Sequence, residues 1–203
     1  IPMPHTDDKK GGPAHFIAVN TPPAGFWGHM DAYVVSLLRA WYGDAATKDN
    51  DWAFGNLPPI DSDHSAYTFT KRMLDGGVEG YFLAGENPAV GSANGRFHRL
   101  ALAKLDWLVV LDLVETESAA FWRSAPELET GELRTEDIAT EVFLMPAAAH
   151  TEKDGSFTNT QRLLQWHHSA HEPHGDRRSD LWFFYHLGRI VKDEAAHGEM
   201  GFW

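Results

Sequence analysis

Three apolar runs, "EGYFLAG" (Glu79–Gly85), "DWLVVLD" (Asp106–Asp112) and "TEVFLMP" (Thr140–Pro146), constrain this chain more than any other feature. The middle run is too continuous to alternate between core and solvent. It reads as a strand buried on both faces, and "TEVFLMP" reads as another buried strand. The runs centre near residues 82, 109 and 143, about 27 to 34 residues apart, which suits right-handed βαβ crossovers. Between the first two lies "RFHRLALAKL", a helix with Phe97, Leu100, Ala101 and Leu105 on one face, and "TESAAFW" opens another helix after the second. The pattern predicts an α/β chain with a mainly parallel sheet and helices on both faces, a three-layer α/β/α sandwich. Ligands of such sheets sit beyond the carboxyl ends of the strands. The three strand exits are therefore the candidate site.

The flanking sequence is less regular. "IPMPHTDDKKGGP" is polar and rich in Pro and Gly, so residues 1–20 read as a tail or linker, with "HFIAV" a short strand within it. In "MDAYVVSLLRAW", Met30, Tyr33, Val34, Leu37, Leu38 and Trp41 fall at helical spacing and form a core stripe. "HSAYTFTKRMLDGG" reads as a helix stopped by Gly76-Gly77, and a last helix runs from about Ser179 to Val191 with Leu181, Phe184, Tyr185 and Val191 inward. Residues 21–195 are expected to form a single α/β domain, and 196–203 a tail.

Composition narrows the function. A chain of 203 residues with 43% hydrophobic and 12% aromatic content can bury a real core. A formal charge of −12 argues against general nucleic-acid binding, but leaves room for a local anion pocket made of backbone N–H groups. The absence of cysteine removes disulfides, iron–sulfur ligation, thiolate zinc sites and cysteine nucleophiles. No apolar run approaches 18 residues, so no direct membrane insertion is expected. No charged leader precedes Ile1, which reads as a processed product or an excerpt of a longer chain.

Each exit carries polar and glycine residues. In "AGENPAVGSANG", Gly85 permits a turn at positive φ, Asn87-Pro88 fixes the loop, and Gly91 and Gly95 keep the backbone approachable; the alternative is a flexible βα loop. In "LDLVETES", Asp112 can accept two N–H bonds from a base edge, and Thr116 can cap a helix whose N-terminus suits phosphate; the alternative is that both only cap. After Pro146, Lys153 offers a cation, Gly155 a strained turn, Thr158, Asn159 and Thr160 short hydrogen-bonding groups, and Arg162 a planar fork. Here the alternative is a turn-rich surface loop.

Taken together, "GENPAVGSANGRFHRLALAKLDWLVVLDLVETESAAFW", "TEVFLMPAAAHTEKDGSFTNTQRLLQW" and "LLRAWYGDAATKDNDW" resemble the large (alpha) subunit of the molybdenum- or tungsten-dependent formate dehydrogenases, in particular the respiratory formate dehydrogenase-N type. The resemblance covers about Asn20 to Lys192 and is strongest from Tyr81 to Trp166. It implies a fold like the internal domain of formate dehydrogenase and dimethylsulfoxide reductase. It also implies a bis(molybdopterin guanine dinucleotide) cofactor with Mo or W, of which this chain holds part. By resemblance Gly85, Asn87 and Pro88 approach the nucleotide, Asp112 reads guanine with Thr116 beside it, and Lys153, Gly155 and Asn159 belong to an "EKxGxxxN" turn closing on the cofactor.

The family's cysteine cluster for a [4Fe–4S] centre, its selenocysteine or cysteine metal ligand, and its C-terminal barrel have no counterpart here. The resemblance therefore implies one internal domain of a subunit that oxidises formate to CO2, inactive by itself. Expected partners are the remaining domains of that subunit, an iron–sulfur subunit and a membrane cytochrome subunit, in a periplasmic, membrane-associated complex. The alternatives are another molybdopterin oxidoreductase of this architecture, acting on nitrate, sulfoxide or polysulfide, and a stand-alone nucleotide-binding or docking module. The histidines of "HHSAHEPHGD" read as a solvated loop, since Pro173 and Gly175 oppose a helix that would bring His167 and His171 onto one face.

Overall fold

A computed structural model describes residues 4–60, 62–159 and 163–197. The chain divides into two compact units, Ile1–Ser65 and Ala66–Trp203. This differs from the expected single domain over residues 21–195.

The first unit is helical. Helix α1 (Thr6–Asn20) occupies the segment expected to be a tail and a short strand. It is broken at Gly12, which sits at φ 69 ahead of Pro13. A tertiary contact holds it: Phe16, 2% exposed, packs on Phe54 with ring centroids 5.5 Å apart. Helix α2 (Met30–Tyr42) buries Met30, Val34 and Leu38, the inner line of the expected stripe, against Phe16, Phe54 and Leu57. Trp41 is exposed instead. Residues Asp51, Trp52 and Ala53 all lie at positive φ, between 54 and 63°. The Asn50 carboxamide braces this turn, accepting from the backbone N–H of Thr47 at 3.0 Å and of Ala53 at 3.1 Å.

The second unit is a three-layer α/β sandwich. Strands β1 (Gly80–Ala84), β2 (Trp107–Asp112) and β3 (Glu141–Pro146) form a parallel sheet in the order β1-β2-β3. The three apolar runs are thus parallel neighbours, as their spacing predicts. Helices α3 (Ala66–Leu74), α5 (Gly95–Leu102) and α6 (Glu117–Ser124) cover one face, where Met73, Leu83, Ala101, Leu102, Leu108, Val110 and Phe121 form the core. Single-turn helices α4 (Pro88–Gly91) and α7 (Pro126–Glu129) lie in the two crossovers. The Thr140 hydroxyl lies 2.9 and 2.8 Å from the Leu102 and Leu105 carbonyl oxygens, between which its one proton is shared, and so joins the start of β3 to the end of α5. On the opposite face, Phe82 meets Phe183 and Phe184 of helix α8 (Asp180–His197).

Two expectations about burial are corrected. β2 is buried on both faces, but β3 is an edge strand, with Phe143 38% and Leu144 41% exposed. Helix α8 does form, yet Leu181, Phe184, Tyr185 and Val191 are exposed, Leu181 at 80%. Helical periodicity marks an apolar face but does not supply the surface that covers it. After β3 the chain forms an antiparallel hairpin of β4 (Gly155–Thr158) and β5 (Leu164–His167). Thr160 and Arg162 lie outside the described residues.

Candidate functional site

The parallel register brings the first two exits together. Ala84 pairs with Leu111, and the Gly85 N–H donates to the Leu111 carbonyl oxygen at 2.9 Å, so Gly85 turns away beside Asp112. Gly85 adopts φ 65, where L side chains are disfavoured, and a Cβ there would meet nothing within 4 Å. The backbone of this exit is therefore open to an incoming group.

Asp112 is the last residue of β2 and half-buried. Its Oδ1 accepts from the Leu113 N–H at 2.7 Å, while its own carbonyl oxygen accepts from Ala147 at 3.0 Å across the β3 exit. Thr116 precedes α6 in an extended conformation but makes no side-chain cap. Its Oγ1 is buried without a hydrogen-bond partner among the described residues.

Asn87 and Pro88 sit differently from a ligand-facing pair. Pro88 is buried at the start of α4. The Asn87 Oδ1 accepts from the Ser118 N–H at 3.0 Å and from the Ser118 hydroxyl at 2.7 Å, and its Nδ2 donates to Glu117 at 2.7 Å. Hydrogen bonds from its own backbone N–H and from Asn87 hold the Glu117 carboxyl below the usual carboxylate range.

The third exit is built from residues that the sequence left without a role. The Ala148 N–H donates to the Arg178 carbonyl oxygen at 2.8 Å, and the Arg178 N–H to Pro146 at 3.1 Å, so residues 177–178 run beside the end of β3. Glu152, 4% exposed, accepts from the Ala149 N–H at 2.9 Å and from Arg177 at 2.5 Å. The Ala149 N–H first, and Arg177 after it, hold its carboxyl below the usual range. The forked cations of "RRSD" ahead of the last helix were the available signal in the sequence.

Two clefts flank this Glu152–Arg177 pair. One, about 350 Å³, opens at the exits of β2 and β3 and includes Leu113, Ala147, His171 and His174 in its lining. The other, about 610 Å³, is bordered by Lys153, Arg178 and Trp182. Lys153 lies 3.3 Å from Asp180 at the start of α8. Gly155 is not at positive φ, so the strained turn expected there is absent. It sits in β4, where a Cβ would lie 3.1 Å from His167 Nε2. Asn159 closes the hairpin, accepting from the Leu163 N–H at 3.1 Å. The structure therefore groups Gly85, Asn87, Pro88, Asp112 and Thr116, while Lys153, Gly155 and Asn159 make their contacts with α8 and within the hairpin. Among the described residues no group of three or more His, Asp or Glu could hold a metal ion, and no helix is long and apolar enough to cross a membrane.

Fold and site define a parallel α/β sandwich with an open carboxylate and a bare glycine backbone at adjacent strand exits. At the level of family, the chain matches the large subunits of formate dehydrogenases. It is 32% identical over 193 residues to the nitrate-inducible formate dehydrogenase major subunit of Escherichia coli K12, covering 90% of this chain and 19% of that protein. It is 38% identical over 168 residues to formate dehydrogenase 2 subunit alpha (cytochrome c-553) of Nitratidesulfovibrio vulgaris Hildenborough, covering 79% of this chain and 16% of that one. With formate dehydrogenase subunit alpha of Megalodesulfovibrio gigas it shares 35% identity over 175 residues, 85% of this chain and 16% of the relative. The chain thus spans less than a fifth of the length of these relatives. No family model matches it.

Proposed function

We propose that this chain is an internal domain of a formate dehydrogenase large subunit of the formate dehydrogenase-N type, and that it forms part of the pocket for one guanine dinucleotide of a bis(pterin) Mo or W cofactor. The observation that carries the reading is Asp112 at the carboxyl edge of β2, beside the open backbone of Gly85. Leu113 takes one lone pair of Oδ1, which leaves Oδ2 and the second lone pair of Oδ1 for a ligand. Guanine offers N1–H and N2–H2 as adjacent donors, which suit a carboxylate. A bare backbone turn suits a diphosphate. Thr116 Oγ1, buried and unpartnered, adds polar capacity next to the same exit.

When bound, the cofactor supplies the redox centre at which formate would give up two electrons and a proton and become CO2. The residues of this chain bind and orient its nucleotide. The chain contains no cysteine, so metal ligation through sulfur and a [4Fe–4S] centre fall to other parts of the subunit. The exposed apolar residues of α8 and of edge strand β3 support contact with the remaining domains of that subunit. Iron–sulfur and membrane cytochrome subunits, and a periplasmic site of action, complete the proposal.

The test is Asp112→Ala in the full-length subunit, with pterin and metal content measured per purified protein. Losing a charge-assisted contact to a desolvated base costs about 2–5 kcal/mol, so cofactor content should fall severely while the fold persists. Asp112→Glu should be intermediate. Full occupancy in Asp112→Ala would refute the guanine pocket.

A further inference from the structure

Asn87 matches the loop that approaches the nucleotide, yet its side chain is spent on protein. Its carboxamide bonds both the N–H and the hydroxyl of Ser118, and donates to Glu117, 30 residues away in sequence. The next loop residue but one is gripped at both backbone polar groups. The Ala89 N–H donates to the Ser118 hydroxyl oxygen at 3.1 Å, and the Ala89 carbonyl oxygen accepts from Arg99 Nη1 at 2.5 Å. Arg99 is itself fixed by two hydrogen bonds of 2.7 Å to the Glu127 carboxylate. Ser118 and Ala89 are fully buried. A four-residue helix does not persist unaided, so these contacts set the position of Pro88–Gly91. Gly95 tightens the same join, since a Cβ there would lie 2.4 Å from the Ala89 oxygen.

We infer that Asn87, Ser118 and the Arg99–Glu127 pair are positioning residues that clamp the β1 exit to the start of α6, so that the exposed Gly85–Glu86 backbone and the Asp112 carboxylate face a single ligand. The inference rests on the guanine-pocket reading and gives that site its mechanical support. Binding groups on separate loops act together only when their spacing is held to a fraction of an ångström. Here one hydroxyl, Ser118 Oγ, accepts from the first exit loop and donates back into it, while its own backbone begins the helix behind the second exit. Loosening it frees the first loop to move away from Asp112 without removing any group that touches the ligand.

The test uses the full-length subunit with Ser118→Ala, Asn87→Ala and Asp112→Ala, and with Met73→Ala as a core control whose side chain is 2% exposed and remote from the exits in sequence. For each, the rate of loss of the intact pterin guanine dinucleotide during a chase, read as released pterin and guanine in equal amounts, and the thermal midpoint are measured. The clamp variants should lose the dinucleotide about tenfold faster than the control at the same margin below their own thermal midpoints. Equal rates in clamp and control variants would reduce the network to ordinary fold stability and overturn the inference. Asp112→Ala separates this failure from failure of the pocket. Wild-type retention in Asp112→Ala removes the pocket and the clamp with it, whereas rapid loss there with control-like clamp variants removes the clamp alone. If Asn87→Ala does not fold, Ser118→Ala deletes a single oxygen and carries the comparison. A compensating pair gives the converse readout. Asn87→Asp sets two carboxylates against each other, and adding Glu117→Gln rebuilds that bond with donor and acceptor exchanged, so retention should return. No recovery in the double variant would count against the clamp.

Discussion

Arg99 and Glu127 meet through two parallel hydrogen bonds of 2.7 Å, with their side chains only 13% and 5% exposed. The pair ties α5 to α7 across the crossovers. Removing the acid leaves a guanidinium without its partner in a largely buried place. Glu127→Ala is expected to lower stability by about 3 kcal/mol, measured by denaturant unfolding. The Arg99 hydrogen bond holds the Glu127 carboxyl below its ordinary value of 4.5. Its contribution is therefore complete above pH 4.5 and is lost as pH falls through the lower folded value. Glu127→Gln should flatten the acid limb of the stability profile below that pH. An unchanged limb would assign acid sensitivity elsewhere.

A second group acts at higher pH. His98 is buried on α5, with Nδ1 3.3 Å from the Thr70 hydroxyl. Burial lowers its pKa from 6.5. Below pH 6.5 the unfolded chain accepts a proton that the folded chain resists, so stability falls with pH from that point until the folded value is passed. His98→Gln should remove this slope while leaving the Glu127 limb in place. Denaturation profiles of the two variants against pH separate the contributions. A slope that survives His98→Gln would exclude His98 as its source.

The sheet was legible because β1, β2 and β3 are each specified by a continuous local run, and the run lengths and spacing leave few topologies. Helix α1 was not. Its Gly12-Pro13 interruption and polar first half carry no local helix signal, and Phe16 is held by contact with Phe54, distant in sequence. The α8 helix was legible as a helix, while its exposed Leu181 and Tyr185 faces were not, since periodicity does not name a partner. Within the candidate site, the placing of Gly85 and Asp112 at adjacent exits was legible because the parallel register aligns the strand ends. The engagement of Asn87 with Ser118, and of Glu152 with Arg177, joins residues 31 and 25 positions apart, and only the folded topology reveals such pairs.

The turn at Asp51–Ala53 stores conformational strain. Three consecutive non-glycine residues at positive φ each carry a cost on the order of 1–2 kcal/mol, least for the aspartate. Asp51 is exposed, so its replacement disturbs little packing. Asp51→Gly should raise stability by about 0.5–1 kcal/mol, despite the greater freedom of glycine in the unfolded chain. Asn50→Ala, which removes the brace across the turn, should act in the opposite direction. Thermal midpoints of the two variants check the pair. A loss of stability in Asp51→Gly would mean that its side chain contributes more than the strain it imposes.

Two glycines, one at the β1 exit and one in β4, should respond differently to a methyl group. At Gly85 the space around a Cβ is open, but φ is 65, so Gly85→Ala meets a purely conformational penalty of about 1–2 kcal/mol. Gly155 lies in strand β4, outside the positive-φ region, and its Cβ would meet only the His167 ring at 3.1 Å. That ring can yield, and alanine also reduces the freedom of the unfolded chain by about 0.4–1 kcal/mol. Gly155→Ala should therefore change stability by less than about 0.5 kcal/mol. Urea unfolding of both variants tests the contrast. Equal losses at the two positions would mean that the His167 ring does not yield, and that its close approach requires glycine at position 155.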